Sequence, residues 1–256
     1  MKMFVTERRN KIMQLLHEKK RLTVKDLALK IGVSEATLRT DLNIMEEEGL
    51  LVRTHGGAVL NDYTDNETSF SVRKKKNKFE KSKIAEKAIE FIDEKQCILL
   101  DASSTTLEIA RYLRRNPMRI TVVTSGIYTA AELTDVPEVT VILIGGVVTK
   151  ESGAVEGTLG INMLKKINID IMFTSAQGFT FQSGLTDFNL YEVELKKEMV
   201  KVSEKVVALL DSSKIWKNSS AIFASPNEID VFITDATINS SLKQDFDEYN
   251  IEIFSC

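Results

Sequence analysis

The chain has 256 residues, 43% hydrophobic and 28% charged, and its 12 Gly and 3 Pro exclude collagen-like, low-complexity and disordered proteins. Its two Cys and two His residues lack the spacing of a disulfide framework or a zinc site, and no segment resembles a signal peptide or reaches the ~20 apolar residues of a membrane span. We therefore expect a cytoplasmic protein with no metal, no cofactor and no membrane partner. The net charge of −3 is uneven, since residues 1–60 hold 11 Lys and Arg against 8 Asp and Glu, whereas the rest holds 23 against 29. A basic N-terminal part favours a module that binds a polyanion.

Three short helices are predicted in the N-terminal part. Thr6 is the predicted N-cap of the first helix, because Thr side chains accept hydrogen bonds from the free N–H groups at a helix start. The second helix begins near Thr23 and ends at Gly32, since Gly adopts the left-handed C-cap conformation without strain. Ser34 caps the third helix, which runs from residue 35 to about residue 48. Two helices joined by a short turn that contains Gly indicate a helix-turn-helix.

A hairpin follows the third helix. A strand is predicted over residues 50–53 and a second strand over residues 58–60, with a Gly-Gly turn between them. The hairpin makes the pattern that of a winged helix-turn-helix, which we assign to residues 1–60.

The third helix has the small and polar residues at its N-terminal end that a recognition helix needs to reach base edges in the major groove. Arg39 is the long bidentate donor among them and suits guanine or a phosphate. In the alternative, a protein-interaction module, Arg39 is only a surface charge. For His55, a packing role and a contact with the minor groove or a phosphate both stay open. The residues that we expect to contact DNA are Thr23, Ser34, Glu35, Thr37, Arg39, Thr40, His55, Gly56 and Gly57.

Residues 61–75 are predicted to be a linker, because they begin with a polar, acidic stretch without periodicity. A basic run overlaps its end, with seven Lys and Arg among the eleven residues 73–83. This run is either the solvated face of a linker helix or an additional contact with DNA phosphates.

Apolar runs alternate with helical stretches over residues 76–256. This rhythm predicts a mostly parallel α/β domain with helices on both faces of its sheet. The predicted strands are residues 97–100, 120–123, 139–144, 169–173, 206–210, 231–233 and 251–254. The predicted helices include residues 105–115, 126–133, 159–166 and 191–203.

Four consecutive hydroxyl residues, Ser103 to Thr106, follow Asp101 where a predicted strand meets a helix. Such a junction presents backbone N–H groups and the positive end of the helix to an anion, and the hydroxyl groups suit a phosphate monoester. A plain turn capped by Ser and Thr is the alternative. Ligands of open α/β sheets lie beyond the carboxyl ends of the strands. Other predicted strand ends also carry small residues, among them Thr124, Ser125, Gly145, Gly146 and Gly178.

Several motifs of this sequence resemble those of the DeoR family of transcriptional regulators. They are residues 7–12, 33–42 and 48–51, the tetrapeptide His-Gly-Gly-Ala at 55–58, and residues 101–106, 145–146, 152–157, 184–187 and 210–214. Thr40 departs from the pattern, because the family usually has a second Arg there. The resemblance covers nearly the whole chain. It implies a C-terminal domain that shares the fold of ribose-5-phosphate isomerases and binds phosphorylated sugars or polyols as inducers.

The effector contacts that the resemblance implies are Asp101, Ser103, Ser104, Thr105, Thr106, Ser125, Gly145, Gly146, Ser152, Gly153, Asp187, Glu192, Lys196 and Lys214, to which the strand ends add Thr124 and Gly178. Lys196 and Lys214 would balance the phosphate charge, unless each is simply a surface residue. An isomerase needs a carboxylate to move a proton between adjacent carbons. Gln177 stands where the related isomerases have an acid, so we expect a regulator rather than an enzyme.

The sequence thus predicts a transcriptional regulator that binds operator DNA as a homo-oligomer, a dimer or a tetramer. We expect it to repress a sugar or polyol catabolic operon and to leave the operator when a phosphorylated sugar binds. An activator of the same architecture is one alternative. A sugar-phosphate isomerase-like enzyme with an appended helical module is the other.

Overall fold

The computed structural model of the protein describes residues 5–19, 21–47, 51–54, 56–60, 69–148 and 153–256. The chain divides into two compact units, Met1–Lys76 and Asn77–Cys256, and each is described by itself. Over the described ranges, none of the helices has both the length and the apolar character that crossing a membrane requires.

Three helices form the core of the N-terminal unit: α1 (Val5–Lys19), α2 (Val24–Ile31) and α3 (Glu35–Glu47). The prediction of Thr6 as the N-cap of the first helix is wrong, because α1 begins at Val5 and Thr6 lies inside it. The helices bury one apolar face each, as their periodicity predicts. The fully buried side chains are Ile12, Leu16, Leu27, Leu38, Leu42 and Met45.

The turn between α2 and α3 has the predicted chemistry. Gly32 follows α2 with a φ of 77°, in the left-handed region that favours Gly. Thr23 caps α2, since its Oγ1 accepts a hydrogen bond from the backbone N–H of Asp26 at 3.1 Å. Ser34 caps α3 in the same way, through the N–H of Thr37 at 3.2 Å. These contacts confirm the helix-turn-helix.

A small antiparallel sheet completes the N-terminal unit, with strands β1 (Arg21–Thr23), β2 (Leu51–Thr54) and β3 (Gly57–Leu60) in the order β1-β3-β2. The pair β2–β3 is the predicted wing. Strand β1 was not predicted, because three residues are too few for an alternating pattern. Gly57 makes the third strand possible, since a Cβ there would lie 2.1 Å from the carbonyl oxygen of Leu22.

The predicted linker is partly helical. Residues 61–68 lie outside the described part of the chain, and residues Phe70–Lys75 form a short helix, α4. Ser69 caps it by accepting a hydrogen bond from the N–H of Val72 at 3.4 Å. The observed boundary between the two units falls after Lys76.

The C-terminal unit alternates helices and strands. In chain order its elements are α5 (Lys78–Ile89), β4 (Cys97–Leu100), α6 (Thr106–Arg115), β5 (Ile120–Thr124), α7 (Ile127–Leu133), β6 (Val139–Leu143), β7 (Val147–Val148), β8 (Val155–Glu156), α8 (Ile161–Leu164), β9 (Ile169–Thr174), β10 (Gly178–Thr180), β11 (Gly184–Asp187), α9 (Leu190–Val202), β12 (Ser203–Leu209), β13 (Ala221–Ala224), β14 (Val231–Thr234), α10 (Ser240–Asp247) and β15 (Glu252–Ser255).

The seven predicted strands form one parallel sheet in the order β15-β14-β12-β9-β4-β5-β6. Helices α5, α6 and α7 pack side by side, and α8 packs against α9. The result confirms the predicted mostly parallel α/β architecture. Because every strand runs the same way, all the carboxyl ends meet at one edge of the sheet.

Two small antiparallel sheets were not predicted. One is the ribbon of β7 and β8, and the other has the order β10-β11-β13. Their strands have only two to four residues, too few for an alternating pattern, and β8, β10 and β11 also contain Gly, Thr or charged residues. Strand β13 was missed although it is a short apolar run.

Candidate functional site

The carboxyl edge of the main sheet gathers the predicted effector residues. Asp101 follows β4, and Ser175 follows β9, the strand paired with β4. Asp211 and Lys214 follow β12, on the other side of β9. Residues that are far apart in the sequence therefore meet beyond three neighbouring strands.

Asp101 is the centre of this site and is fully buried. Its Oδ1 accepts hydrogen bonds from the N–H of Ser103 at 2.9 Å and from Thr106 Oγ1 at 3.0 Å. Its Oδ2 accepts from Thr174 Oγ1 at 2.7 Å and from the N–H of Ser175 at 3.0 Å. Burial alone would raise the pKa of Asp101, but the Lys196 charge and these donors outweigh it, so the pKa is lowered. Asp101 is therefore a structural anion that fixes the loop.

The hydroxyl groups of the 103–106 loop are mostly engaged within the protein. Ser103 Oγ and Thr106 Oγ1 lie 3.0 Å apart, and Thr105 Oγ1 donates to Ser175 Oγ at 3.4 Å. Among the described residues, only the hydroxyl of Ser104 in this loop makes no hydrogen bond. The expectation of four free hydroxyl donors is thus corrected, because Asp101 accepts from Thr106, Ser175 accepts from Thr105, and the Ser103 hydroxyl pairs with that of Thr106.

Lys196, on α9, is buried, so the reading of this lysine as a surface residue is wrong. Its Nζ lies 2.9 Å from Asp187 Oδ2, 3.3 Å from Asp101 Oδ2 and 3.4 Å from Glu192 Oε1. Burial lowers the pKa of Lys196, but the three carboxylates outweigh it and raise the pKa overall. The ammonium group of Lys196 is the shared partner of three carboxylates, so its positive charge is already compensated and does not attract a phosphate.

Lys214 is a second predicted lysine at this edge, and it is less buried than Lys196. It lies in a short 3-10 turn after β12 and is partly exposed, and its Nζ donates to Ser175 Oγ at 3.2 Å. Ser175 and Asp211 were not among the predicted effector residues. The signal that could have identified them is their place directly after predicted strands.

The remaining predicted effector residues surround this edge in different ways. Thr124 and Ser125 are buried after β5, where Thr124 Oγ1 accepts from the N–H of Gly126 at 2.9 Å. Gly145 and Gly146 are exposed after β6, and Gly153 accepts from the N–H of Ile127 at 3.0 Å. The predicted contact Ser152 lies outside the described residues.

Gly178 has a packing reason of its own at the start of β10. A Cβ there would lie 2.2 Å from the carbonyl oxygen of Lys217. Only Gly therefore permits this approach of the two chain segments.

The N-terminal unit exposes the predicted DNA-contacting residues of α3. Arg39 is 59% exposed, and its Nη2 lies 3.0 Å from Glu35 Oε2. Ser34 Oγ and Thr37 Oγ1 lie 2.9 Å apart, and Thr40 Oγ1 donates to the carbonyl oxygen of Ala36 at 3.2 Å. This polar face is turned away from the helix core.

The opposite side of α3 is anchored to α1. Asp41 is 3% exposed and forms a two-pronged contact with Arg8, in which Arg8 Nη2 lies 3.1 Å from Asp41 Oδ1. Bidentate pairs of this kind fix orientation as well as position. The contact holds the exposed face of α3 in a defined orientation within the unit.

Two of the three predicted wing residues, Gly56 and Gly57, are described by the structure. Gly56 is exposed, and its carbonyl oxygen accepts from the N–H of Val24 at 2.9 Å. Gly57 is buried in the sheet, where it permits the close approach of β1. His55 lies outside the described residues. Thr23, also predicted to contact DNA, is exposed and donates through Oγ1 to Asp26 Oδ2 at 2.7 Å.

Comparison with known proteins matches both units. Residues 8–64 match the DeoR-like helix-turn-helix domain, and residues 76–236 match the DeoR C terminal sensor domain. The HTH-type transcriptional regulator GolR of Listeria innocua is 44% identical over 251 residues, which cover 98% of each chain. The glycerol-3-phosphate regulon repressor of Escherichia coli K12 is 28% identical over 98% of this chain and 99% of its own.

Among solved structures, ribose 5-phosphate isomerase A of Methanocaldococcus jannaschii is similar over 54% of this chain and 55% of its own, with 17% identity and a TM-score of 0.41. The two family matches coincide with a winged helix-turn-helix and with a parallel α/β unit whose strand ends converge. The chain therefore belongs to the DeoR family of DNA-binding transcriptional regulators.

Proposed function

We propose that this protein is a repressor of a sugar or polyol catabolic operon that leaves its operator when a phosphorylated sugar binds the C-terminal unit. In this proposal residues 1–60 contact DNA, and residues 76–256 hold the effector. The observation that carries the proposal is the loop at Ser104 between β4 and α6. Beside it, Lys214, which follows β12, donates a hydrogen bond to Ser175, which follows β9. The name of the glycerol-3-phosphate regulon repressor supports the choice of a phosphorylated ligand.

We assign the phosphate of the proposed effector to the space beside Ser104, the start of α6 and Lys214. Ser104 has a hydroxyl without a partner among the described residues, and α6 begins two residues later. The positive end of this helix favours an anion. Its first N–H groups, those of Thr106, Leu107 and Glu108, already donate to Ser103 and Thr105. Lys214 adds a partly exposed positive charge. In this proposal the carboxylates of Asp187 and Glu192, which hold Lys196, would also accept hydrogen bonds from sugar hydroxyls through their remaining lone pairs.

Release of DNA requires that the effector bind two arrangements of the protein with different affinity. Helix-turn-helix proteins commonly bind repeated half-sites as dimers, so a change in the spacing of paired heads would weaken binding. We propose that the protein acts in the cytoplasm as a homo-oligomer, a dimer or a tetramer. Light scattering of the purified protein distinguishes these from a monomer.

Calorimetry tests the proposed ligand. Glycerol 3-phosphate, ribose 5-phosphate and fructose 6-phosphate are titrated into the full chain beside glycerol, ribose and fructose. At least one phosphate should bind, and its unphosphorylated counterpart should bind at least tenfold more weakly. Equal affinity for both would refute the phosphate as the recognised group, and an isomerase assay with ribose 5-phosphate should show no turnover.

A second measurement tests the regulation. Duplex DNA selected by the chain from a random library serves as operator, and the phosphate that binds best should weaken its binding by roughly 5–150-fold, the usual range of allosteric coupling. A reporter gene under this operator should be expressed more strongly when the gene for this chain is deleted. Lower expression on deletion would identify an activator instead.

A further inference from the structure

The first residue of the C-terminal unit, Asn77, is tied to the strand end that carries Lys214. Asn77 precedes α5 with a φ of 52°, in the left-handed region, and its side chain does not cap its own helix. Its Nδ2 instead donates to Asp211 Oδ1 at 2.9 Å and lies 3.2 Å from Ser213 Oγ. The point where the chain enters the C-terminal unit is thus fastened to the loop after β12.

Asp211, the acceptor of this contact, is 1% exposed, and its two carboxylate oxygens differ in the hydrogen bonds that they accept. Its Oδ1 also accepts from the N–H of Ser213 at 3.2 Å and from Ser213 Oγ. Its Oδ2 is buried and accepts no hydrogen bond from the described residues. A buried acceptor without a donor costs free energy. A small shift of the Asp211 side chain that brings Oδ2 to a donor would therefore lower its free energy.

The charges around Asp211 connect it to the effector site. Burial raises its pKa, but Lys214, the donors from Ser213 and Asn77, and Lys81 on α5 outweigh burial, so the pKa of Asp211 is lowered and the group is ionised. Lys214 also donates to Ser175 Oγ, which accepts from Thr105 in the loop that follows Asp101. The same lysine therefore acts on Asp211 and on the proposed phosphate position.

We propose that the contact between Asn77 and Asp211 is a latch that holds the entry to the C-terminal unit in the effector-free arrangement and weakens when a phosphate binds beside Lys214. This inference rests on the proposed function. A phosphate dianion competes with Asp211 for the charge of Lys214. Asp211, which already lacks a donor at Oδ2, then shifts and loosens its bond to Asn77. Asn77 follows directly on Lys76, the last residue of the N-terminal unit, so the latch lies where the two units join in the chain.

Asn77→Gly tests the latch, because Gly keeps a φ of 52° without strain and removes only the side chain. Asn250→Gly is the matched control, since Asn250 has a φ of 57° in another part of the C-terminal unit. Each full-length variant is titrated with the sugar phosphate that binds the parent best and with the selected operator. We expect Asn77→Gly to bind operator more weakly without effector, at the level of the effector-bound parent, and to respond less than twofold to the sugar phosphate. Its sugar-phosphate affinity should equal or exceed that of the parent, and Asn250→Gly should match the parent throughout.

Asp211→Asn provides a second, independent test of the latch. Its amide oxygen can still accept from Asn77, but it no longer responds to the charge of Lys214. We expect parental operator affinity without effector and a release ratio that falls towards one. Thermal unfolding checks that the variants are folded, and the Asp211→Asn result decides the matter if Asn77→Gly does not fold.

Other outcomes count against the latch in distinguishable ways. A parental release ratio in both variants overturns it and leaves the proposed function intact. Loss of sugar-phosphate affinity in Asn77→Gly also overturns it, because the side chain would then shape the binding site. If none of the three sugar phosphates releases the parent from its operator, the proposed function itself is overturned, and the latch is overturned with it.

Discussion

Lys196 Nζ lies 3.3 Å from Asp101 Oδ2 in the interior of the C-terminal unit, and the same ammonium group contacts Asp187 and Glu192. One lysine and three carboxyl groups are thus buried around one centre, in a medium where an uncompensated charge is costly. Breaking a buried pair by removing one partner is strongly destabilising, even where the pair itself adds little. Lys196 therefore serves first to hold these carboxylates in place.

Lys196→Met should destabilise the protein by about 3–5 kcal/mol, because Met matches the length of the lysine stem but leaves three buried carboxylates without their cation. Lys197→Met is the control, since the neighbouring Lys197 is 40% exposed and its ion pair among the described residues is with Glu194 at 2.8 Å. Its effect should lie within about 1 kcal/mol, as for surface ion pairs. Urea unfolding measures both values. Equal stability of the two variants would contradict the central role of Lys196.

Acid should weaken the protein in part through Asp101. The folded pKa of Asp101 is lowered relative to its unfolded value of about 3.9, so its contribution to stability is present above that pH and is lost as the pH falls through the folded pKa. The free energy of unfolding of the parent should therefore fall between pH ~5 and pH ~2. Asp101→Asn should lower stability at neutral pH and show a shallower fall over this range. Lys196, whose pKa is raised, keeps its proton throughout. A slope identical to that of the parent would rule Asp101 out as a source of the acid sensitivity.

The main sheet could be predicted from the sequence because most of its strands contain a run of apolar residues. A parallel strand is covered on both faces, so β4, with Ile98, Leu99 and Leu100 all buried, needs no polar alternation. The helix-turn-helix was equally accessible, since Gly32 and Ser34 mark its turn by local conformation and capping alone. These signals depend on neighbours in the sequence.

The hydrogen bonds and ion pairs at the carboxyl edge of the main sheet could not be predicted in the same way. Whether Thr106 offers its hydroxyl to a ligand depends on Asp101, which accepts it at 3.0 Å. Whether Lys196 is exposed depends on three carboxylates brought by β4, β11 and α9. Such partners meet only when the sheet has formed. For this reason the sequence identifies candidate residues without showing which of them already have partners.

Ser104→Ala and Thr106→Val should separate ligand binding from stability. Ser104→Ala removes a hydroxyl that has no partner among the described residues, so the free energy of unfolding should change little. A lost hydrogen bond to a charged phosphate should weaken sugar-phosphate binding by about 1.5–3 kcal/mol. Thr106→Val removes a donor to buried Asp101 and should destabilise the protein by about 1–3 kcal/mol. Calorimetry and urea unfolding give both values for each variant. If Ser104→Ala binds the sugar phosphate as the parent does, the phosphate lies elsewhere.

Arg39→Ala should reduce the preference for operator over scrambled DNA and leave the fold intact. The Arg39 side chain is exposed and its ion pair with Glu35, at 3.0 Å, is of the kind that contributes about 0–1 kcal/mol. A base contact by Arg39 would contribute roughly 1–3 kcal/mol to discrimination, and this amount should be lost.

Glu35→Gln should instead strengthen DNA binding, because it frees Arg39 from its carboxylate partner and removes a negative charge from the face that is predicted to meet DNA phosphates. Lys243→Ala, an exposed change of equal charge in the C-terminal unit, should affect neither duplex. Fluorescence anisotropy at one fixed salt concentration, with the selected operator and its scrambled version, measures all three variants. An equal loss on both duplexes for Arg39→Ala would assign this side chain to a phosphate and leave base reading to the other exposed residues of α3.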